Sequence, residues 1–313
     1  MEAITSRKAA KTAPRKQKSL LKRKEAWIFY LLVSPWLIHL VALDAGPMLA
    51  SLYFSFTEWN MLTAPEWVGL SNYADALTKD PLFWKSLAIT FGFAIVSVPL
   101  NLVVGLALAL LLNTSLPGTR LFRTIYYLPS QINGVAVMVM WVFVFNPDLG
   151  LLNTLLAQFG IQGPGWIFDP NWALPSLVFM NLWSVGGGTI IWLAGLKGIP
   201  DSLYESATLD GANAWKRFRY ITLPLLTPTI FFNLITGIIG ALQKFGEAYV
   251  MTKGGPLNST RFFNYHLYDY AFGKFEMGFA SALAWLLFVI ILALTLLVFS
   301  TSGRWVYYGG DKK

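Results

Sequence analysis

The sequence predicts an all-α membrane protein with six spans, and three observations carry that reading. Of its 313 residues 55% are hydrophobic and 13% charged, about half the charge fraction of a soluble domain. Apolar runs of about 20 residues, enough to cross a bilayer as helix, recur at 27–50, 86–112, 125–145, 173–195, 223–245 and 278–300. Lys and Arg are also concentrated in alternate connections: with both termini inside, the segments 1–26, 113–124, 196–222 and 301–313 hold 18 of the 24. The positive-inside rule assigns those segments to the cytoplasm.

The elements follow in order. Residues 1–26 form a basic tail with nine Lys and Arg between Arg7 and Lys24. A disordered, topology-setting tail accounts for it, as would a transit peptide or a lipid-binding arm. The first apolar run is too long for a signal-peptide core and reads as an uncleaved anchor. The external segments carry most of the acids, among them Glu58, Glu66, Asp75, Asp80, Asp148 and Asp169. Residues 57–85 mix these acids with aromatics, and 146–172 contain no Lys or Arg. Residues 246–277 include Thr252-Lys-Gly-Gly-Pro256, a tight turn by composition. Their Trp and Tyr residues suit an interfacial belt.

The residue inventory excludes several chemistries. There is no cysteine, and His39 and His266 are the only imidazoles, so no thiolate or zinc constellation is available. No phosphate-cradling G-x-x-x-x-G-K-[ST], nucleophile elbow or H-E-x-x-H occurs. Gly186-Gly187-Gly188 lies inside an apolar run without a following Lys and suits close helix packing or an adaptable backbone. Asp44 and Glu247 sit near span ends, whereas a proton-driven pump needs carboxylates deeper in the membrane. Energy must come from elsewhere.

The segment 196–224 is unusual for a connection. Pro200, Asp201 and Ser202 favour a helix start, and Leu203, Tyr204 and Ala207 share a face. Asp210-Gly211 ends that helix. A second short helix follows from Ala212 to Tyr220, with Lys216, Arg217 and Arg219, and Pro224 suits the first turn of the next span. Its short tethers to the membrane rule out a DNA major groove. A docking element and a plain re-entry loop packed on its own bundle both fit these residues.

The spacing Tyr204-Glu205-Ser-Ala207-x-x-Asp210-Gly211-Ala212-x5-Phe218-x2-Ile221-x-Leu223-Pro224 resembles the EAA loop of binding-protein-dependent ABC importer permeases. Gly69-Leu-x-Asn72-Tyr73, Asp80-Pro-x-Phe83-Trp84, Arg123-Thr-x3-Leu128-Pro129, Leu193-Ala-Gly-Leu-x2-Ile199-Pro200 and Thr252-x-Gly254-Gly255-Pro256 are similar to the carbohydrate branch, on the side of the maltose transporter's first permease. The similarity runs from about residue 28 to 302, and departs at Ser206, usually Ala, and at Lys244, usually small, apolar or amide.

The resemblance implies a type I importer permease fold with a cytoplasmic coupling helix in 196–224. It implies ATPase coupling through Tyr204, Glu205, Ala207, Asp210, Gly211 and Ala212, with Glu205 as the charged anchor in a groove of the ATPase. The partners implied are a second permease, two ATPase subunits, an extracytoplasmic solute-binding protein and the lipid bilayer, with no nucleic acid. ATP and Mg would be bound by the ATPases and no cofactor by this chain. A substrate path is expected along the fourth and fifth spans, through Asn181, Trp183, Ser184, Gly187, Asn233, Gly240, Gln243, Lys244 and Glu247. Trp183 suits either helix packing or stacking on a sugar ring. Lys244 and Glu247 either pair at i, i+3 or reach separately to the interface. The resulting expectation is ATP-driven import of a sugar or oligosaccharide, by a chain that is not itself an enzyme. A glycerol-phosphate-like solute is the alternative within the same machinery. An ion-coupled transporter would call for inverted repeats, and a membrane enzyme for a catalytic constellation; neither is visible in the sequence.

Overall fold

The computed structural model describes residues 15–114 and 117–307, with side chains from Lys24 onward. Residues 1–14, where the basic run begins, 115–116 in the segment 113–124, and 308–313, the end of the segment 301–313, lie outside the described residues. The chain divides into two units, 1–53 and 54–313.

In the first unit, α1 (Arg15–His39) leads through a π-helical turn at Leu40–Ala45 into α2 (Gly46–Phe54). Lys24–Phe54 is long and apolar enough to span. The helix begins at Arg15, well inside the segment read as a possible disordered tail. Arg15 to Glu25 consists almost wholly of Arg, Lys, Gln, Leu and Glu, all strong helix formers.

The second unit opens with a two-residue hairpin, β1 (Thr57–Glu58) antiparallel to β2 (Glu66–Trp67), the only departure from all-α among the described residues. Then come α3 (Ser71–Thr78), α4 (Phe83–Leu112), α5 (Thr119–Tyr127), α6 (Gly134–Val144), α7 (Leu151–Gln158), α8 (Ala173–Trp183) and α9 (Gly186–Lys197). The chain continues through α10 (Asp201–Leu209), α11 (Ala214–Arg217), α12 (Leu223–Leu225), α13 (Thr227–Leu242), α14 (Phe263–Tyr268) and α15 (Met277–Ser302).

The six expected spans are of two kinds. Lys24–Phe54, α4 and α15 are unbroken. The other three are pairs: Thr119–Gln131 with α6 meets at 96°, α8 with α9 at 52°, and Ala214–Leu225 with α13 at 62°. The run 125–145 is therefore not one straight span. Pro129 sits in a tight 3-10 turn, and Asn133 restarts the chain as α6 by accepting a hydrogen bond from the Val135 N–H at 2.9 Å. At 11 residues α6 is about 16 Å long, short of the roughly 30 Å apolar thickness. Pro224 is likewise not in the first turn of the fifth long helix. It belongs to α12, and after the corner at Leu226 the first turn of α13 holds Pro228.

Helix α4 packs against α8, α9 and α13. A large apolar cluster includes Phe93, Leu177, Leu242, Phe262, Phe263 and Leu283. Edge-on ring pairs Phe83–Phe263 and Phe93–Phe262, at 5.4 and 5.2 Å, bind the start of α14 to α4. A smaller cluster of Ala109, Trp192, Leu196, Ile199 and Leu226 sits at the other end of α13.

Candidate functional site

A cavity of about 330 Å³ opens where α8 breaks into α9, between α4 and α13. Its volume is at the small end of ligand pockets. Asn101 from α4 donates its Nδ2–H to the Oδ1 of Asn181 at 2.9 Å, which leaves the Asn181 amide hydrogens to the cavity. Asn233 spends its amide donor on the Thr229 carbonyl, leaving Oδ1 as an acceptor. Ser97, Ser184 and Thr236 add hydroxyls, and Phe93 and Trp192 add apolar wall. The lining thus offers donors and acceptors on an otherwise apolar surface.

The bend that shapes this cavity follows from local sequence. Ser184 and Val185 make short-range bonds to the Asn181 and Leu182 carbonyls, which ends the regular ladder of α8. A Cβ on Gly186 would lie 1.8 Å from the Tyr126 carbonyl oxygen, so only glycine lets α9 start against α5.

Of the expected path residues, Asn181, Ser184, Asn233, Gly240 and Lys244 line the cavity. Gly187 lies off the lining, facing Ser130. Trp183 is half exposed, with its ring edge-on to Trp141 at 5.9 Å. Gln243 is exposed, and its carbonyl accepts a hydrogen bond from Asn264. Glu247 sits behind Lys244, 7% exposed, and accepts from its Nζ at 2.5 Å. The two therefore pair. Glu247 thus gives the largely buried ammonium its counter-charge. Lys244 also stands 5.7 Å from the Phe93 ring centre.

Beyond the spans, residues 248–274 fold back on themselves. Lys253 and Gly254 adopt left-handed conformations, and Thr260 donates to the Gly255 carbonyl. Arg261 donates Nε–H to His266 Nδ1 at 3.0 Å and pairs with Asp269. Arginine has no acceptor, so Nδ1 must accept and Nε2 must carry the hydrogen. His266 Nε2 donates it to Asp80 Oδ2 at 2.6 Å, with both side chains almost fully buried. Burial holds the His266 pKa below its usual 6.5, opposed by its bond to Asp80 and reinforced by nearby Arg261 and Lys274.

At the opposite end of α13 the loop carries few internal ties. Pro200 leads into α10, and Gly211 turns the chain with φ of +75°. The Ala212 N–H donates to the Ala207 carbonyl at 2.8 Å, closing the helix end. Asn213 caps α11 through the Lys216 N–H. Tyr204 and Ala207 are half-buried and Tyr204 shares a 2.9 Å bond with Thr222, but Leu203, grouped with them by spacing, is exposed. Glu205, Asp210 and Gly211 are exposed and Ala212 half-buried. Leu209 and Trp215 expose 90% and 68% of their surface.

Residues 101–312 match the family described as binding-protein-dependent transport system inner membrane component. The chain belongs to this family. As a permease, it is 44% identical to the probable ABC transporter permease protein YesP of Bacillus subtilis (strain 168), over 93% of this chain and 96% of that one. It is 34% identical to the trehalose/maltose transport system permease protein MalF of Thermococcus litoralis, over 91% and 97% respectively. Its fold matches a crystallised bacterial ABC transporter involved in the import of the acidic polysaccharide alginate, with TM-score 0.81 and 24% identity, covering 92% of this chain and 99% of that one. The permease is thus a multi-pass membrane protein of the type I importer fold.

Sequence reasoning missed Asn101, Ser97, Thr236 and Trp192. An Asn and a Ser flanking Pro99 in an apolar run were the available signal, since polar side chains in a span seek a partner. Trp192 carried no such mark.

Proposed function

We propose that this permease imports a saccharide into the cytoplasm through the cavity at the α8–α9 break, driven by ATPases docked on 196–224. The observation that carries the reading is the lining of Asn101, Asn181, Ser184, Asn233 and Thr236, amides and hydroxyls set among apolar side chains. Such a lining suits the alternating donors, acceptors and C–H faces of a sugar. The trehalose/maltose name of the Thermococcus relative supports the same class.

In this reading both termini are cytoplasmic, as the Lys and Arg distribution favours. A second permease completes the path, and an extracytoplasmic binding protein delivers the solute. Two ATPase subunits bind ATP and Mg; this chain binds no cofactor and catalyses no reaction. The exposed Leu209, one turn after Glu205, and Trp215 on α11 give an ATPase groove apolar contact, and Glu205 gives it a charge to grip. ATPase closure then rocks the permeases as rigid bodies.

The test is reconstitution into proteoliposomes with and without the partners. Sugar uptake should require the ATPases and ATP, and Glu205→Lys should lower it more than about thirtyfold, the equivalent of losing a docking hot spot of about 2 kcal/mol. The variant should still insert and keep its thermal unfolding temperature. Sugar transport by the chain alone would overturn the reading.

A further inference from the structure

We propose that the solute carries a carboxylate, and that Lys244 is the residue that selects it. The inference rests on the saccharide reading of the cavity and adds the charge of the ligand. Among the described residues Lys244 is the only charged side chain lining the cavity, and no carboxylate lines it. A neutral sugar needs nothing beyond the amides and hydroxyls already there, so a lysine must be explained.

The pair with Glu247 has an asymmetry that points one way. Lys244 faces the cavity with its side chain 22% exposed, whereas the Glu247 side chain is 9% exposed and contributes nothing to the lining. An ammonium has three donors, and Glu247 takes one through Oε1. Neutralisation comes from behind and donors remain in front. Glu247 keeps the cation in place when the cavity is empty, and an incoming carboxylate meets an ammonium already held and charged. Asn181, whose Oδ1 is occupied by Asn101, adds neutral N–H donors to the same cavity. A carboxylate bound here would be held by one charge-assisted bond, with amides and hydroxyls left for the sugar hydroxyls. The ligand is then an acidic saccharide of the uronate type. The same site would resist a cationic solute.

The experiment measures equilibrium binding to the purified complex of this permease with its partner permease and ATPases, without the binding protein, so that the cavity alone selects. The probes are disaccharide pairs differing only by oxidation of a C6 hydroxymethyl to a carboxylate: cellobiose with cellobiouronate, and galactobiose with its uronate counterpart. The acidic member should bind about tenfold or more tightly. Lys244→Gln should bring the ratio close to one, while Lys244→Arg should keep it. The wild-type ratio tests the proposal even if Lys244→Gln does not fold. Equal binding of both members by the wild type, or an acidic preference that survives in Lys244→Gln, overturns the carboxylate assignment and leaves the saccharide reading standing. Binding of neither member of any pair overturns the saccharide reading itself.

Discussion

The two ends of α13 solve opposite problems. At one end, the segment 248–274 packs on α4 and α15 and ties its charges together: buried Arg261 bonds His266 and the half-buried Asp269, and buried His266 reaches Asp80 from before α4. At the other, 198–226 leaves Glu205, Leu209, Trp215 and Tyr220 in the open, with Tyr204–Thr222 and Arg217–Thr208 among its few side-chain ties. The first end ties its charged groups within this chain, although Leu257 and Phe272 stay exposed there. The second has the composition of half an interface, with apolar residues that nothing in the chain covers. A buried polar network fixes geometry because every member depends on the next. A sparsely tied loop can be seized and moved.

Breaking the network should show the largest effect on the isolated protein. Asp80→Ala removes the acceptor of His266 and of the Leu82 N–H, and should destabilise the permease by about 2–3 kcal/mol, read by thermal unfolding in detergent. If the transition is unchanged, the network is decoration and the contrast fails. Gly211→Ala comes next. Forcing a Cβ into φ of +75° costs about 1–2 kcal/mol locally, so ATPase affinity should fall by roughly tenfold. Global unfolding should change little. Smaller still is Tyr204→Phe, which removes one hydrogen bond worth about 1 kcal/mol. It should loosen the loop in hydrogen exchange while leaving 248–274 protected.

Acid provides the mildest and most selective probe. His266 has a native pKa below its unfolded 6.5, so between those values the unfolded chain holds more protons and stability rises with pH. Unfolding temperature should be flat above about pH 7 and fall as pH drops through 6.5 toward the lowered native value. Protonation also puts a hydrogen on Nδ1, where Arg261 is already donating. His266→Gln should abolish this slope, whereas Glu205→Lys, at the other end, should leave it intact.

Much of this was legible in the sequence, for identifiable reasons. Span positions follow from apolar length, which is a local property. The turn at Gly211 was readable because Asp-Gly ends a helix by its own conformational preference. The pairing of Lys244 with Glu247 was one of two open readings because i, i+3 spacing sets proximity without setting rotamers. Distant partners were not legible: Asn101 meets Asn181 from 80 residues away, and His266 meets Asp80 from 186 away. Read as a lone imidazole, His266 gave no hint of its role. The corner at Ile132 and the shift of the first-turn proline from Pro224 to Pro228 depend on how neighbouring helices meet, which periodicity does not encode.

The corner at Leu226 has a mechanical consequence. α13 is 16 residues long, with the Tyr204–Thr222 tie just before its base and Lys244 just beyond its tip. It is a lever about 24 Å long at 1.5 Å per residue, so a tilt of about 5° at the base carries the tip by about 2 Å. That displacement exceeds the difference between a made and a broken hydrogen bond. A small rotation at Leu226 is enough to make or break a hydrogen bond at Lys244, two dozen ångströms away.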